Sequence, residues 1–197
     1  MSGRWIVGIT GASGSIYGVK LVRYLLEAGM DVHLVVTDAG WRVLHDELGW
    51  SVSRRTEVLE EQFGFARSRL IYHSNADIGA SIASGSFRTD GMVVLPCSMG
   101  TLSGIAHGAS GNLLERAADV ILKENRPLLL VPRETPLSVI HLENMLKLAK
   151  LGVAMIPAMP AFYQKPASLE ELTDFMVGRV LDSMKIEHHL YRRWGEP

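Results

Sequence analysis

The stretch Trp5-Ile6-Val7-Gly8-Ile9-Thr10-Gly11-Ala12-Ser13-Gly14-Ser15-Ile16-Tyr17-Gly18 feeds an apolar strand into a glycine-rich turn and then into a helix that begins at Ser15. A strand that ends in small residues and opens a helix leaves backbone N–H groups and the positive end of the helix dipole directed at one spot. That spot suits a phosphate or another anion. The glycines fall at Gly11, Gly14 and Gly18, which is neither the dinucleotide GxGxxG spacing nor a Walker loop, because no Lys-Ser/Thr pair follows. The turn is a candidate nucleotide site. A tight βα turn needs glycine in any case, so a purely structural role stays open.

Outward from this turn, short apolar runs alternate with helix-length segments, the pattern of a parallel sheet with crossover helices on both faces. Strands are expected over 6–10, 32–36, 92–96, 127–131 and 153–156, each apolar throughout, as for strands covered on both sides. Helices are expected over 15–27, 38–47, 101–105, 112–123, 139–150 and 169–185, several with apolar positions three and four residues apart. Between Trp50 and Ser86 the apolar pattern weakens and Ser, Arg and Gly accumulate, so a mixed helix-loop excursion is expected there. There is no internal repeat and no low-complexity segment. The expected fold is α/β, a Rossmann-like (flavodoxin-like) parallel sheet with helices on both faces, forming a single domain over 1–197.

Composition narrows the function. With 197 residues, 47% of them apolar, the chain is long enough to bury a full core and fits one domain better than two. Basic and acidic residues nearly cancel to a net charge of −1, and no Lys/Arg stripe is present to follow a phosphate backbone, so nucleic acid is not an expected partner. Cys97 is the only cysteine, which excludes an intrachain disulfide, and the N-terminus lacks the features of a signal peptide. A cytoplasmic location is expected. The longest apolar run, Pro127 to Pro132, falls far short of the ~20 residues that cross a bilayer, so no membrane span is expected. The seven histidines, His188-His189 among them, show no metal spacing, and no metal is expected.

"TGASG" (Thr10 to Gly14) also fits an NAD(P)-dependent short-chain oxidoreductase, with Asp38 holding a ribose. Those enzymes pair a catalytic Tyr with a Lys four positions later, and none of Tyr17, Tyr24, Tyr72, Tyr163 or Tyr191 has one. The oxidoreductase stays as the runner-up.

Four further stretches decide between the readings: "ASGSF" (Ala83 to Phe87), "PCSMGTLSGIAHG" (Pro96 to Gly108), "ERAADVILKENRPLLLVPRETPLSVIHLENM" (Glu115 to Met145) and "PAFYQKP" (Pro160 to Pro166). With "TGASG" they resemble the UbiX/Pad1 family of flavin prenyltransferases, from the first strand to "RRWG" at Arg192 to Gly195. The resemblance implies transfer of a dimethylallyl group from dimethylallyl monophosphate to N5 and C6 of reduced FMN. The product, prenylated FMN, would serve a separate UbiD-type decarboxylase. It also implies a symmetric homo-oligomer, a dodecamer, with each site shared between subunits.

Carried over residue by residue, the resemblance implies FMN contacts from Gly11, Ala12, Ser13, Thr37, Ser98, Met99, Gly100, Thr101 and Arg133. It implies proton handling by Ser13, Glu47 and Glu134. Arg116, Lys123, Tyr163 and Arg179 would hold the allylic phosphate, joined by Arg133, and arginine suits that task through planar bidentate contacts. Some members place a Trp where this chain reads Ala76-Asp77-Ile78. Each residue also has a plainer reading. Thr37 and Thr101 fit helix caps. Arg116 and Lys123 lie seven apart on one side of a helix, as a solvated face would. Glu47 sits on an expected surface helix, and Glu134 is placed to pair with Arg133. Cys97 is given no catalytic role, because nothing around it argues for a lowered pKa. The related cysteine decarboxylases carry a PxMNxxMW-type segment that is missing here. A non-catalytic FMN-binding subunit of an aromatic acid decarboxylase remains a second alternative.

Overall fold

A computed structural model describes residues 3–66 and 68–195; positions 1, 2, 67, 196 and 197 of the expected 1–197 domain lie outside the described residues. The elements are β1 (Arg4–Ile9), α1 (Ser15–Glu27), β2 (Asp31–Val36), α2 (Asp38–Leu48), α3 (Arg55–Phe63), β3 (Leu70–Ser74) and β4 (Gly91–Cys97). They continue with α4 (Met99–Ala106), α5 (Leu113–Lys123), β5 (Leu128–Pro132), α6 (Val139–Lys150), β6 (Ala154–Met155) and α7 (Leu169–Ser183). Among the described residues the strands form one six-stranded sheet, ordered β3-β2-β1-β4-β5-β6, and every neighbouring pair is parallel.

Because successive strand side chains point to opposite faces, each strand feeds two cores. Val7, Ile9, Leu34 and Val36 pack with Leu21, Leu25, Trp41 and Leu181 under α1, α2 and α7. Ile6, Val35, Met92 and Val94 pack with Leu102, Leu114, Ala118 and Leu148 under α4, α5 and α6. Burial on both faces accounts for the unbroken apolar runs of the central strands. Two glycines of the opening turn have local tasks. Gly14 takes a φ of 99° at the start of α1, and a Cβ at Gly18 would lie 2.4 Å from the carbonyl oxygen of Leu95, so α1 lies close against β4.

The structure corrects several sequence expectations. The excursion between Trp50 and Ser86 contains a helix, α3, and a parallel edge strand, β3, paired to β2 from Val32↔Leu70 to Val36↔Ser74. Leu70-Ile71-Tyr72-His73-Ser74 is half exposed, so it lacks the continuous apolar signature of a central strand. The expected strand 153–156 reduces to Ala154–Met155, and the last helix stops at Ser183 rather than at Lys185, which has a φ of 59°. The helix expected at 101–105 begins at Met99, which puts Met99, Gly100 and Thr101 inside its first turn.

Chain order reverses between β1 and β4: from β1 the chain builds outward to β2 and β3, then returns to add β4, β5 and β6 on the other side. The carboxyl ends of β1 and β4 therefore flank a crevice at the topological switch point, where open α/β sheets bind ligands.

Candidate functional site

One buried hydroxyl ties the two walls of this crevice together. Thr10 Oγ1 donates to the carbonyl of Pro96 at 2.8 Å and accepts from the N–H of Ser98 at 2.7 Å, joining the end of β1 to the end of β4. The next residues on each wall are the ones singled out in the sequence. Gly11, Ala12 and Ser13 form the turn after β1, and the Ala12 N–H donates to Thr10 O at 2.9 Å. Thr37 follows β2, Ser98 follows β4, and Arg133 and Glu134 follow β5.

The plainer reading of Thr37 as a cap holds in the geometry, whereas Thr101 is not a cap but lies in the first turn of α4. Thr37 caps α2, its hydroxyl accepting from Gly40 N–H at 2.9 Å. Ser98 caps α4, accepting from Thr101 N–H at 3.3 Å, with the two hydroxyls 3.1 Å apart. A cap and a ligand contact do not exclude each other. Both helices start at the crevice, where first-turn N–H groups lack intrahelical acceptors. A Cβ built on Gly100 would meet no atom within 4 Å, so space stands open at the first turn of α4.

Glu47 is the principal revision to the turn. The sequence leaves the N–H groups at the start of α1 free for an external anion. In the structure they hold the chain's own carboxylate: Glu47 accepts from Gly14 N–H at 2.9 Å, from Ser15 N–H at 2.8 Å and from the Ser15 hydroxyl at 2.7 Å. Partial burial pushes the Glu47 pKa up, but hydrogen bonds from Ser13, Gly14 and Ser15 outweigh it and leave the pKa below its ordinary value. Glu47 is thus an exposed but ionised group, fixed beside Ser13 by its hydrogen bonds. Ser15 was not singled out from the sequence; its position as the first residue of the helix was the available signal.

Arg133 reaches the same turn, its Nε donating to Ser13 O at 3.4 Å. Beside it, Glu134 Oε1 accepts from Thr135 N–H at 2.9 Å, while Oε2 has no hydrogen-bond partner among the described residues. A cleft of about 600 Å³ continues from Ser13, Gly14 and Glu47 past Tyr17 to Pro160 and Leu169 at the start of α7. Burial first, then the Glu47 charge, raises the Tyr17 pKa, so the phenol stays protonated. Small uncharged residues on two strand ends, two helix starts, open space at Gly100 and one guanidinium make a seat for a flat ligand that carries an anion. These residues fit FMN.

The remaining candidates lie elsewhere on the chain. Along α5, Arg116 pairs with Asp119 at 2.9 Å and Lys123 with Glu124 at 3.0 Å. The helix starts at the crevice edge, where Leu113 and Leu114 N–H groups donate to Asn75 just past β3, and it descends about 10 Å between Arg116 and Lys123. Lys123 therefore lies toward the amino-terminal end of the strands, away from the crevice, near where Arg126 donates to the carbonyls of Gly85 and Phe87 ahead of β4. Tyr163 and Arg179 form a third group on the loop before α7 and on α7 itself. Tyr163 meets Phe175 and Trp194 edge-on, with ring centroids 6.1 and 5.2 Å away, and Arg179 Nη1 contacts Asp182 at 3.2 Å and Tyr191 OH at 3.3 Å. Among the described residues, no hydrogen bond or ion pair links Tyr163, Arg179, Arg116 or Lys123 to Ser13, Glu47, Arg133 or Glu134.

Cys97 is fully buried, and burial drives its thiol pKa well above the ordinary value, so it is no nucleophile. Ile78, where some members of the resembled family carry Trp, is an exposed loop residue. Among the described residues no helix is long and apolar enough to cross a membrane, and no three His, Cys, Asp or Glu side chains gather to hold a metal.

Comparison with known proteins agrees with the crevice chemistry. Residues 2–188 match the family model described as Flavoprotein. The chain is 56% identical to the flavin prenyltransferase UbiX of Halalkalibacterium halodurans, over 98% of this chain and 94% of that protein. Among solved structures, the dodecameric FMN-dependent UbiX-like decarboxylase of Escherichia coli O157:H7 superimposes with a TM-score of 0.89 at 46% identity, covering 98% of this chain and 100% of that one. AnUbiX (PadA1), solved in complex with FMN and dimethylallyl pyrophosphate, also gives a TM-score of 0.89, at 39% identity over 100% of this chain and 99% of its own. A six-stranded parallel sheet with its small-residue turn and arginine at the switch point, matched over almost the whole length at these identities, places the chain in the flavoprotein family and, within it, among the UbiX flavin prenyltransferases.

Proposed function

We propose that this protein is a flavin prenyltransferase, joining a dimethylallyl group from dimethylallyl monophosphate to N5 and C6 of reduced FMN. The observation that carries this reading is the 56% identity to a flavin prenyltransferase over 98% of the chain. Bound at the switch point, reduced FMN supplies the nucleophilic nitrogen and carbon. Arg133, and the starts of α2 and α4 capped by Thr37 and Ser98, hold it there, and Gly11, Ala12 and Ser13 leave room for its ring. Met99, Gly100 and Thr101 line the α4 side of the same seat.

Departure of the allylic phosphate needs its growing charge neutralised in place, the task of Arg116, Lys123, Tyr163 and Arg179. Proton handling falls to Ser13, Glu47 and Glu134. The Glu47 carboxylate is fixed against the α1 start and stays ionised, while Glu134 Oε2 is an acceptor with no hydrogen-bond partner among the described residues. The whole of 1–197 works as one domain in the cytoplasm, in a homo-oligomer like the dodecameric relative, and hands prenylated FMN to a UbiD-type decarboxylase. The word decarboxylase in that relative's description fits an alternative reading, an FMN-binding subunit without turnover. Anaerobic incubation with reduced FMN and dimethylallyl monophosphate separates the two. Mass spectrometry of the extracted flavin is expected to show one added dimethylallyl group, and an unmodified flavin would overturn the proposal.

A further inference from the structure

Asp182, near the end of α7, lies under a segment of chain that none of the roles above accounts for. Four side chains converge on its carboxylate. The Tyr191 hydroxyl donates to Oδ2, Arg179 Nη1 lies 3.2 Å from the same oxygen, and Arg193 Nη2 and His188 Nε2 approach Oδ1 at 2.8 and 3.0 Å. Three of these four belong to residues 188–193, which fold back over α7. His188 is buried, and Leu190 N–H donates to its Nδ1 at 3.3 Å, leaving Nε2 to carry the proton toward Asp182. Although burial raises the Asp182 pKa, the bonds from Tyr191, Arg193 and His188 prevail and keep the carboxylate ionised.

The same tail also grips the loop that carries Tyr163. Trp194 packs edge-on against the Tyr163 ring at 5.2 Å, Gln164 Nε2 donates to Arg192 O at 2.5 Å, and Tyr191 packs against Phe175 at 5.0 Å, the ring that Tyr163 meets on its other side. Asp182 therefore joins both residues of the α7 group, Arg179 directly and Tyr163 through the tail. The side-chain hydrogen bonds of Arg179 among the described residues run through Nη1. Nη2 and Nε remain for an anion, and a guanidinium held at one nitrogen loses less freedom when it makes a bidentate contact.

We propose that Asp182, with the tail from His188 to Trp194 bound over it, is the positioning residue that sets Arg179 and Tyr163 in register to receive the allylic phosphate. It touches no substrate itself. This rests on the functional reading above, in which Arg179 contacts that phosphate.

The test uses the assembled oligomer loaded with FMN, comparing Asp182→Asn, Arg179→Ala and the double variant. Two measurements are made: anaerobic turnover against dimethylallyl monophosphate concentration, and calorimetric binding of dimethylallyl monophosphate to protein holding oxidised FMN. Asp182→Asn is expected to raise KM and Kd for the phosphate about tenfold, the scale of one charge-assisted hydrogen bond, with FMN content unchanged and kcat within about threefold. In the double variant the penalty should fall short of the sum of the two single penalties, because part of the effect of Asp182 runs through Arg179. Unchanged KM and Kd in Asp182→Asn, or penalties that add, would make Asp182 a merely structural residue and overturn the proposal. If Arg179→Ala itself leaves Kd unchanged, the premise that Arg179 meets the phosphate fails first, and the positioning proposal falls with it. Should Asp182→Asn not fold, Tyr191→Phe removes one donor and keeps the ring. Its raised Kd would support the proposal, and an unchanged one would overturn it.

Discussion

The carboxylate of Glu47 on α2 closes the start of α1, accepting from Ser15 N–H at 2.8 Å and from the Ser15 hydroxyl at 2.7 Å. A negative side chain on the positive end of a helix stabilises it, and here that same side chain stands beside the turn that faces the flavin seat. In the proposed function, structure and chemistry draw on one group.

Glu47→Gln separates the two uses. The amide keeps one acceptor oxygen and loses the charge, so the fold should persist with a loss of about 1 kcal/mol, a Tm lower by about 2–4 °C. Prenylated FMN formation should fall by at least about 100-fold, the scale of a lost acid or base. Because the Glu47 pKa is depressed in the folded state, its stabilising effect is present above the ordinary carboxylate pKa and fades as pH falls through the folded value. The Tm gap between wild type and variant should therefore close toward acid pH. A gap independent of pH would mean that the charge is not what stabilises α1.

Arg133 and Glu134 are adjacent in sequence and differ in their partners: Arg133 Nε reaches Ser13 O across the turn, and Glu134 Oε1 contacts only the neighbouring Thr135 N–H. Arg133→Ala should weaken FMN binding about tenfold or more, through loss of a charge-assisted contact. Glu134→Gln should retain FMN and lose most product formation. Flavin absorbance of the purified proteins and mass analysis of the product check both. Equal loss of flavin in the two variants would contradict the division of roles.

The opening strand, its turn and α1 were legible because each is a local pattern: an apolar run, small residues and a helix with apolar positions on one side. Edge strand β3 was not. Leu70 to Ser74 joins the sheet through a single neighbour, β2, and keeps polar side chains on a half-exposed edge, so its sequence resembles a loop. The partner of Glu47 was equally hidden, since nothing in residues 38–48 states that a side chain will reach back to Gly14. The convergence on Asp182 is hidden for the same reason, because its partners span residues 179 to 193 and meet only when the tail folds back. Lys123 shows the converse. Its helix was expected correctly, but the seven-residue spacing from Arg116 does not by itself tell that this end of α5 points away from the crevice.

His33 and His73 meet on neighbouring strands β2 and β3, with Nδ1 and Nε2 2.8 Å apart and rings stacked at 5.1 Å. Burial first, then the His73 and Arg4 charges, lowers the His33 pKa to about 4 from 6.5, against the opposing pull of Asp31. The neutral pair is stabilising above the unfolded value of 6.5, and that stability is lost as pH falls toward 4. The wild type should lose about 1–3 kcal/mol more than His33→Gln over this interval. Thermal melts of both proteins from pH 7 to pH 4 check it, and parallel curves would refute it.

Cys97 is closed in the second core, and its thiol is held protonated by burial. A thiol reagent should leave native protein unlabelled at neutral pH and label it fully in denaturant. Cys97→Ala should keep most prenylation activity at a stability cost of about 1–2 kcal/mol, set by the small cavity left behind. Abolished turnover in folded Cys97→Ala protein would require a role that the geometry does not supply.

Ser13, Glu47, Arg133 and Glu134 gather at the switch point, Tyr163 and Arg179 lie together on the α7 side, and Lys123 lies toward the amino-terminal end of the strands. Because no hydrogen bond or ion pair links the three groups among the described residues, we propose that neighbouring subunits bring them together on one allylic phosphate. The loop before α7 fits such a contact: Met159, Phe162 and Tyr163 are 69%, 70% and 51% exposed, a costly set of apolar side chains for a free surface. Glu47→Gln and Arg179→Ala protein, each far below wild-type activity alone at limiting dimethylallyl monophosphate, would be dissociated, mixed in equal amounts and reassembled. If Glu47 and Arg179 of one site come from different chains, random mixing leaves about a quarter of the sites with both residues intact, and about a quarter of wild-type activity returns. Mixtures that stay inactive after mass analysis has confirmed subunit exchange would place both residues of a site on one chain. The α7 group would then have to reach the flavin by a movement within the subunit.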